Sequence, residues 1–216
     1  MPFSLEMLLD YFAVYNERIW PMQLLGYVAG LLTLVPLFRS GKAWNRAVTG
    51  VLALLWLWVS LVFWLQAASE MALLYAPTVL FAVQGALFLN ALARDRITYG
   101  QAGGVHTTVG LAFTAYALVG YPLIGLSVGH TYPHTALSPL FPCPATILTF
   151  GVLLLARRVP RHLLVIPTFW AVSGALWLYL GMVEDAGLVI AGVVGAIMLA
   201  ARERAAQRAA SAASQV

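Results

Sequence analysis

The chain has 216 residues, is 62% hydrophobic and only 9% charged, and carries a formal net charge of +4. Soluble domains average about half apolar and a quarter charged, so this composition excludes an ordinary soluble globule. The basic surplus is clustered between apolar runs and reads as membrane topology rather than nucleic-acid binding, and no nucleotide-binding or serine-hydrolase motif is present.

In chain order, the first expected element is a helix over residues 3–18. Leu5, Leu8, Leu9, Phe12 and Tyr15 fall on one helical face, Ser4 suits the N-cap, and Glu6 favours the positive end of the dipole. The segment lacks the basic leader of a cleavable signal peptide and is expected to lie in the membrane interface. Seven apolar runs follow, at 20–38, 47–67, 73–93, 105–127, 145–156, 163–180 and 186–201. About 20 such residues cross a bilayer as a helix. The fifth run is short and is expected to extend or tilt. Residues 205–216 form a frayed tail. The fold class expected is therefore an all-α membrane protein with seven transmembrane helices and an N-terminal interfacial helix.

With alternating loops, Arg39, Lys42, Arg46, Arg94, Arg96, Arg157, Arg158, Arg161, Arg202, Arg204 and Arg208 share one side, and Arg18 stands alone on the other. Basic loops mark the cytoplasm, which puts the N-terminus outside and the C-terminus inside. Glu6, Asp10, Glu17, Glu70, Glu184 and Asp185 then all fall outside. They either serve as helix starts or form an acidic vestibule that gathers cations.

The chain also echoes itself. "WPMQ" and "CPAT" open spans one and five, "LLWLW" and "ALWLY" lie in spans two and six, and "GALFLNALARDR" and "GAIMLAARER" close spans three and seven. A duplication of three plus one plus three helices fits this order, with residues 20–96 and 143–204 as triplets and 105–127 as the linker helix. That layout resembles the sugar-efflux transporters of the SWEET type, of whose proline–glutamine signature only Pro21-Met22-Gln23 is an echo. The motifs "YNERIWP", "GHTYPH" and "PCPATILTFG", in that order, resemble a domain-of-unknown-function family of small bacterial multi-pass membrane proteins. This resemblance implies a bacterial inner (plasma) membrane location and no particular chemistry.

No acid or basic residue falls near the middle of a span, and the only lysine is Lys42 in a loop. An opsin-like Schiff base is thereby excluded, and a relay of deep carboxylates is not expected. Gln84, Asn90, Thr114, Tyr116 and Ser173 are expected to hydrogen-bond between helices, and Gly26, Gly30, Gly187, Gly192 and Gly195 to permit close helix approach. Pro36, Pro77, Pro122 and Pro167 are expected to kink spans or to act as hinges.

The loop between spans four and five concentrates reactive side chains. Pro133, Pro139, Pro142 and Pro144 argue against a helix across it, so His130 and His134 are not a helical metalloprotease pair. Pro144 suits a first helical position, which puts Cys143 at the N-cap, where the dipole favours a thiolate. As the lone cysteine it cannot form an internal disulfide. His130, His134 and Cys143 could ligate zinc or a softer metal ion, or could simply pack and hydrogen-bond. Asn16, Glu17, Gln23, Gln66, Glu70, Tyr132, Glu184 and Asp185 are the polar residues near the same face and the candidate ligand-binding set.

The expected function is binding and transport of a small solute or metal ion through an outward-facing site near this loop. One alternative is a metal-dependent intramembrane hydrolase of lipid-like substrates, resembling the alkaline ceramidases, although "VEDAG" stands where their late histidine pair would be. The other is a noncatalytic binding or assembly subunit. Expected partners are the lipid bilayer, a small molecule or metal ion and a second copy of the chain, with no nucleic acid.

Overall fold

The structure, a computed structural model, describes residues 4–100 and 103–213. Residue 3 of the expected first helix and residues 214–216 of the tail lie outside the described residues.

Helix α1 (Leu5–Ile19) starts as its sequence dictates, with the Ser4 hydroxyl accepting the Met7 N–H at 3.2 Å. Its apolar face buries Phe12, Tyr15 and Ile19 against the bundle. Helix α2 (Met22–Leu37) follows at 91° to it. The run at 20–38 is thus no straight rod: its α-helical part, Met22–Leu32, has 11 residues and ends in a 3-10 turn around Pro36. At about 1.5 Å per residue that part reaches only about half of a 30 Å hydrocarbon layer.

Among the described residues, five helices are long and apolar enough to cross a membrane: α3 (Lys42–Glu70), α4 (Ala72–Ala93), α5 (Gly104–Ser127), α7 (Arg161–Tyr179) and α8 (Val183–Arg208). With the bent α1–α2 pair counted as one span the number is six. The chain is a helical multi-pass membrane protein. Helix α8 continues to Ala213, where a frayed tail was expected, because the Ala-, Arg- and Gln-rich segment favours helix.

The remaining helix, α6 (Pro142–Leu155), corrects the reading of span five. It has 14 residues, extends the expected run only to Pro142 at its start, and buries every side chain but that of Cys143. A helix apolar all round belongs in a core, and at about 21 Å it is too short to span. It packs against α5, α7, α8 and α3 and forms the axis of the bundle. Its polar groups are satisfied internally. The hydroxyls of Thr146 and Thr149 donate to the carbonyls of Pro142 and Ala145 at 2.8 Å, and the Trp56 indole donates to Thr149 Oγ1 at 2.9 Å. At its C-terminal end the Arg202 guanidinium donates to the carbonyls of Leu153 and Leu154, as a cation should.

The glycines do permit close approach, but to different partners. Gly26 receives Leu140 and Gly30 receives Leu118, so the GxxxG of α2 faces a loop and α5. Gly187, Gly192 and Gly195 receive Tyr116, Ala171 and Phe150, from three separate helices. Of the five polar residues expected to bridge helices, Gln84 reaches Leu163 O at 3.1 Å and Tyr116 reaches Glu184 O at 2.7 Å. Thr114 and Ser173 bond within their own helices, and Asn90 is exposed. Pro77 and Pro167 lie in the first α-helical turn after a 3-10 turn, where no kink is required. Pro122 lies further inside its span, and α5 passes it through a π-helical turn at Tyr116–Gly120.

At the arginine-rich end, Thr98–Tyr99 pairs antiparallel with Ala156–Arg158, tying the α4–α5 connection to the α6–α7 connection.

Candidate functional site: a carboxylate in an aromatic cleft

The site is built from the proline-rich loop 128–141. An irregular segment inside a membrane protein must have its carbonyls satisfied by protein. Helices α1 and α2 supply the donors. The Asn16 amide donates to Pro133 O and Thr135 O, both at 2.7 Å. Tyr15 Oη donates to Leu140 O at 2.9 Å and accepts the Trp58 indole N–H at 2.8 Å. Tyr27 Oη donates to Leu137 O. The Gln23 amide orients Asn16 through its backbone oxygen at 2.8 Å and Oδ1 at 3.2 Å. Asn16 and Gln23, expected among the ligand-binding set, here hold the loop.

The loop in turn places His130. Its backbone N–H bonds Gly125 O at 2.9 Å, and its Nδ1 lies 2.9 Å from Oε1 of Glu184, which is 1% exposed. Gly125 leaves the room this needs, since a Cβ there would stand 3.1 Å from Glu184 Oε1 and 3.3 Å from Thr135 Oγ1.

The neighbouring Asp185 is also 1% exposed but meets a different environment. Tyr121 Oη donates to its Oδ1 at 2.7 Å, and the Cys143 thiol donates to its Oδ2 at 3.6 Å. Both oxygens of this carboxylate therefore accept from neutral donors. Among the described residues, no cationic side chain pairs with it.

Asp185 faces a cleft walled by Phe63, Trp64, Tyr121, Phe141, Trp170 and Trp177, with α1 lying over it. The rings pack edge-to-face: Trp64 and Trp170 are 5.4 Å apart at 73°, and Phe63 and Trp64 4.9 Å apart at 85°. The Trp64 indole N–H is buried without an acceptor. Two π-helical turns shape these walls. Val59–Trp64 in α3 carries Phe63 and Trp64, and Tyr116–Gly120 in α5 immediately precedes Tyr121. Such turns recur at functional sites. The chamber beside Asp185 has a volume of about 20 Å³, enough for about one water. Beyond Phe63, Trp64 and Trp177, which line both, a second chamber of about 140 Å³ extends to Tyr11 and the carboxylate of Glu70.

The metal set does not assemble. Among the described residues, no three His, Cys, Asp or Glu side chains are grouped to hold a metal ion. Separate carboxylates engage the three expected ligands: Glu184 takes His130, Asp185 takes Cys143, and Asp10 stands 3.6 Å from His134, which is half exposed. Nor is Cys143 an N-cap. Helix α6 begins at Pro142 with Phe141 as the cap, so the thiol sits a residue further in and donates to a carboxylate. Glu17 and Tyr132 are exposed and Gln66 half-buried, outside the residues lining either chamber.

Sequence reasoning missed the tryptophans and Tyr121. The available signal was their position toward the ends of α3, α5 and α7 nearest the segments that carry Glu70, Glu184 and Asp185.

A model of a family of unknown function, DUF6064, matches residues 5–210. No curated protein and no solved structure matches the chain.

Proposed function

The chain belongs to the DUF6064 family, and from its cleft we propose a small-solute binding and transport protein whose solute is an organic cation. One observation carries the reading: Asp185 is a buried carboxylate with neutral donors, aromatic walls and no cationic partner among the described residues. A buried charge is costly unless compensated. A positively charged ligand supplies that compensation, and aromatic faces favour an ammonium by cation–π attraction worth about 0.5–2 kcal/mol.

The remaining parts of the proposal follow from the same arrangement. The arginine-rich loops at one end support an orientation with that end on the cytoplasmic side of a bacterial inner membrane, in which the cleft opens outward with Glu70 at its entrance. Helix α1 covers the inner chamber and joins the bundle at the bend before α2, which makes it the element to move when solute enters. The duplication belongs to this reading too. Its support is that α2 and α6, the openers of the two triplets, are both short helices introduced by proline.

Protein in lipid nanodiscs is titrated with choline and with its uncharged isostere 3,3-dimethylbutanol, following tryptophan fluorescence. Choline is expected to quench saturably and the isostere not. Asp185→Asn is expected to weaken choline binding by about tenfold or more, the effect of losing a desolvated ion pair, while Glu17→Gln leaves it unchanged. Equal responses to both probes, or no response to either, overturn the reading. Choline flux into proteoliposomes then separates a transporter from a binding subunit.

A further inference from the structure

The arginine-rich end carries a second cavity, unconnected with the aromatic cleft. It has a volume of about 560 Å³ and is lined by Arg96, Arg158, Arg161 and His162 together with Asp95, Glu203 and Gln207. The two acids are already engaged. Asp95 accepts from Lys42 Nζ at 2.8 Å and Arg46 Nη1 at 2.9 Å, which hold its carboxyl below the usual range, and Glu203 accepts the backbone N–H of Val159 at 3.2 Å. Arg161 is fixed by Gln207 at 2.7 Å. Arg96, Arg158 and His162 make no side-chain hydrogen bond or ion pair among the described residues.

The cavity is also built rather than incidental. The short ladder pairs Thr98 with Arg158, fixing the two connections that bring Arg96 and Arg158 to one opening, and Arg161 enters from the start of α7. Forked guanidinium donors converging on a polar hollow match a phosphate group, which accepts from several of them at once.

We propose that this cavity is a binding site for a phosphate group, whose source is an anionic lipid headgroup of the adjacent leaflet or a soluble phosphate ester. Basic pockets between transmembrane helices hold phospholipid headgroups by this chemistry. The site does not depend on what the aromatic cleft binds.

The test compares wild type, Arg96→Gln with Arg158→Gln, and Arg39→Gln, whose arginine belongs to the same end but does not line the cavity. In one arm, retention of cardiolipin is measured by native mass spectrometry from nanodiscs of phosphatidylcholine with and without cardiolipin. In the other, glycerol 3-phosphate is titrated against protein in neutral nanodiscs and thermal stability is followed. A cardiolipin effect alone assigns the site to lipid, and a glycerol phosphate effect assigns it to a soluble ester. In either case the affinity is expected to fall roughly fivefold for each cavity arginine removed and to be unchanged in Arg39→Gln. Should the double variant be poorly folded, competition by pyrophosphate on the wild type gives the same readout. Equal losses in Arg39→Gln and the double variant, failure of pyrophosphate to compete, or no phosphate effect in either arm overturns the proposal.

Discussion

Single atoms decide how closely these helices approach. At the α5–α6 crossing, a Cβ on Gly151 would lie 2.8 Å from the Thr114 backbone nitrogen and 2.9 Å from Gly110 O. Both obstacles are backbone and cannot swing away. Gly50, inside α3, is the opposite case: the nearest atom to an added Cβ is Leu92 Cδ2 at 3.8 Å, an ordinary contact. Gly151→Ala is therefore expected to cost about 1–3 kcal/mol by overpacking, whereas Gly50→Ala gains about 0.5–1 kcal/mol through helix propensity and a less flexible unfolded chain. Thermal unfolding in matched detergent checks the pair. Equal behaviour of the two variants would refute the close crossing. Neither outcome can be read from the sequence, where both are simply glycines in apolar runs.

At the scale of elements, the proline-rich loop is the instructive case. Its prolines keep a helix from running through from 133 into α6, and that much is read from Pro133, Pro139, Pro142 and Pro144 directly. What becomes of its carbonyls is settled by Asn16, Tyr15 and Tyr27, more than 100 residues away. Asn16→Ala leaves the buried carbonyl of Thr135 and the part-buried carbonyl of Pro133 without this donor and is expected to destabilise the protein by about 1–3 kcal/mol. Amide exchange should rise over residues 130–141 before it rises in α3 or α4. An exchange increase spread evenly over the chain would show instead that Asn16 supports the bundle as a whole. The same distant contacts explain why the expected metal ligands are not grouped among the described residues. His130, His134 and Cys143 are close in sequence, but each turns to a different carboxylate brought by α1 or α8.

For the whole molecule, the proposed orientation rests on the arginine distribution. Single cysteines at Ser69 or Tyr132, both exposed, in a Cys143→Ser background, are expected to react with an impermeant thiol reagent in intact cells. Cysteines at Ser40 or Ala205, also exposed, should react only after permeabilisation. The reverse labelling would turn the aromatic cleft toward the cytoplasm and the arginine cavity outward. The membrane class, the long helices α3, α4, α5, α7 and α8, the amphipathic α1 with its Ser4 cap and the family are all legible in sequence. Hydropathy, helical period and capping are local properties, which each segment carries with it wherever it packs. The burial of α6, the bend between α1 and α2 and the cleft around Asp185 are not legible. An apolar helix has the same composition whether lipid or protein surrounds it, so only packing against α5, α7 and α8 distinguishes the core of this bundle from a span. An acid at the head of a helix likewise looks the same in water or buried. Glu184 and Asp185 become a paired and an unpaired carboxylate only when His130, Tyr121 and Cys143 arrive from other parts of the chain.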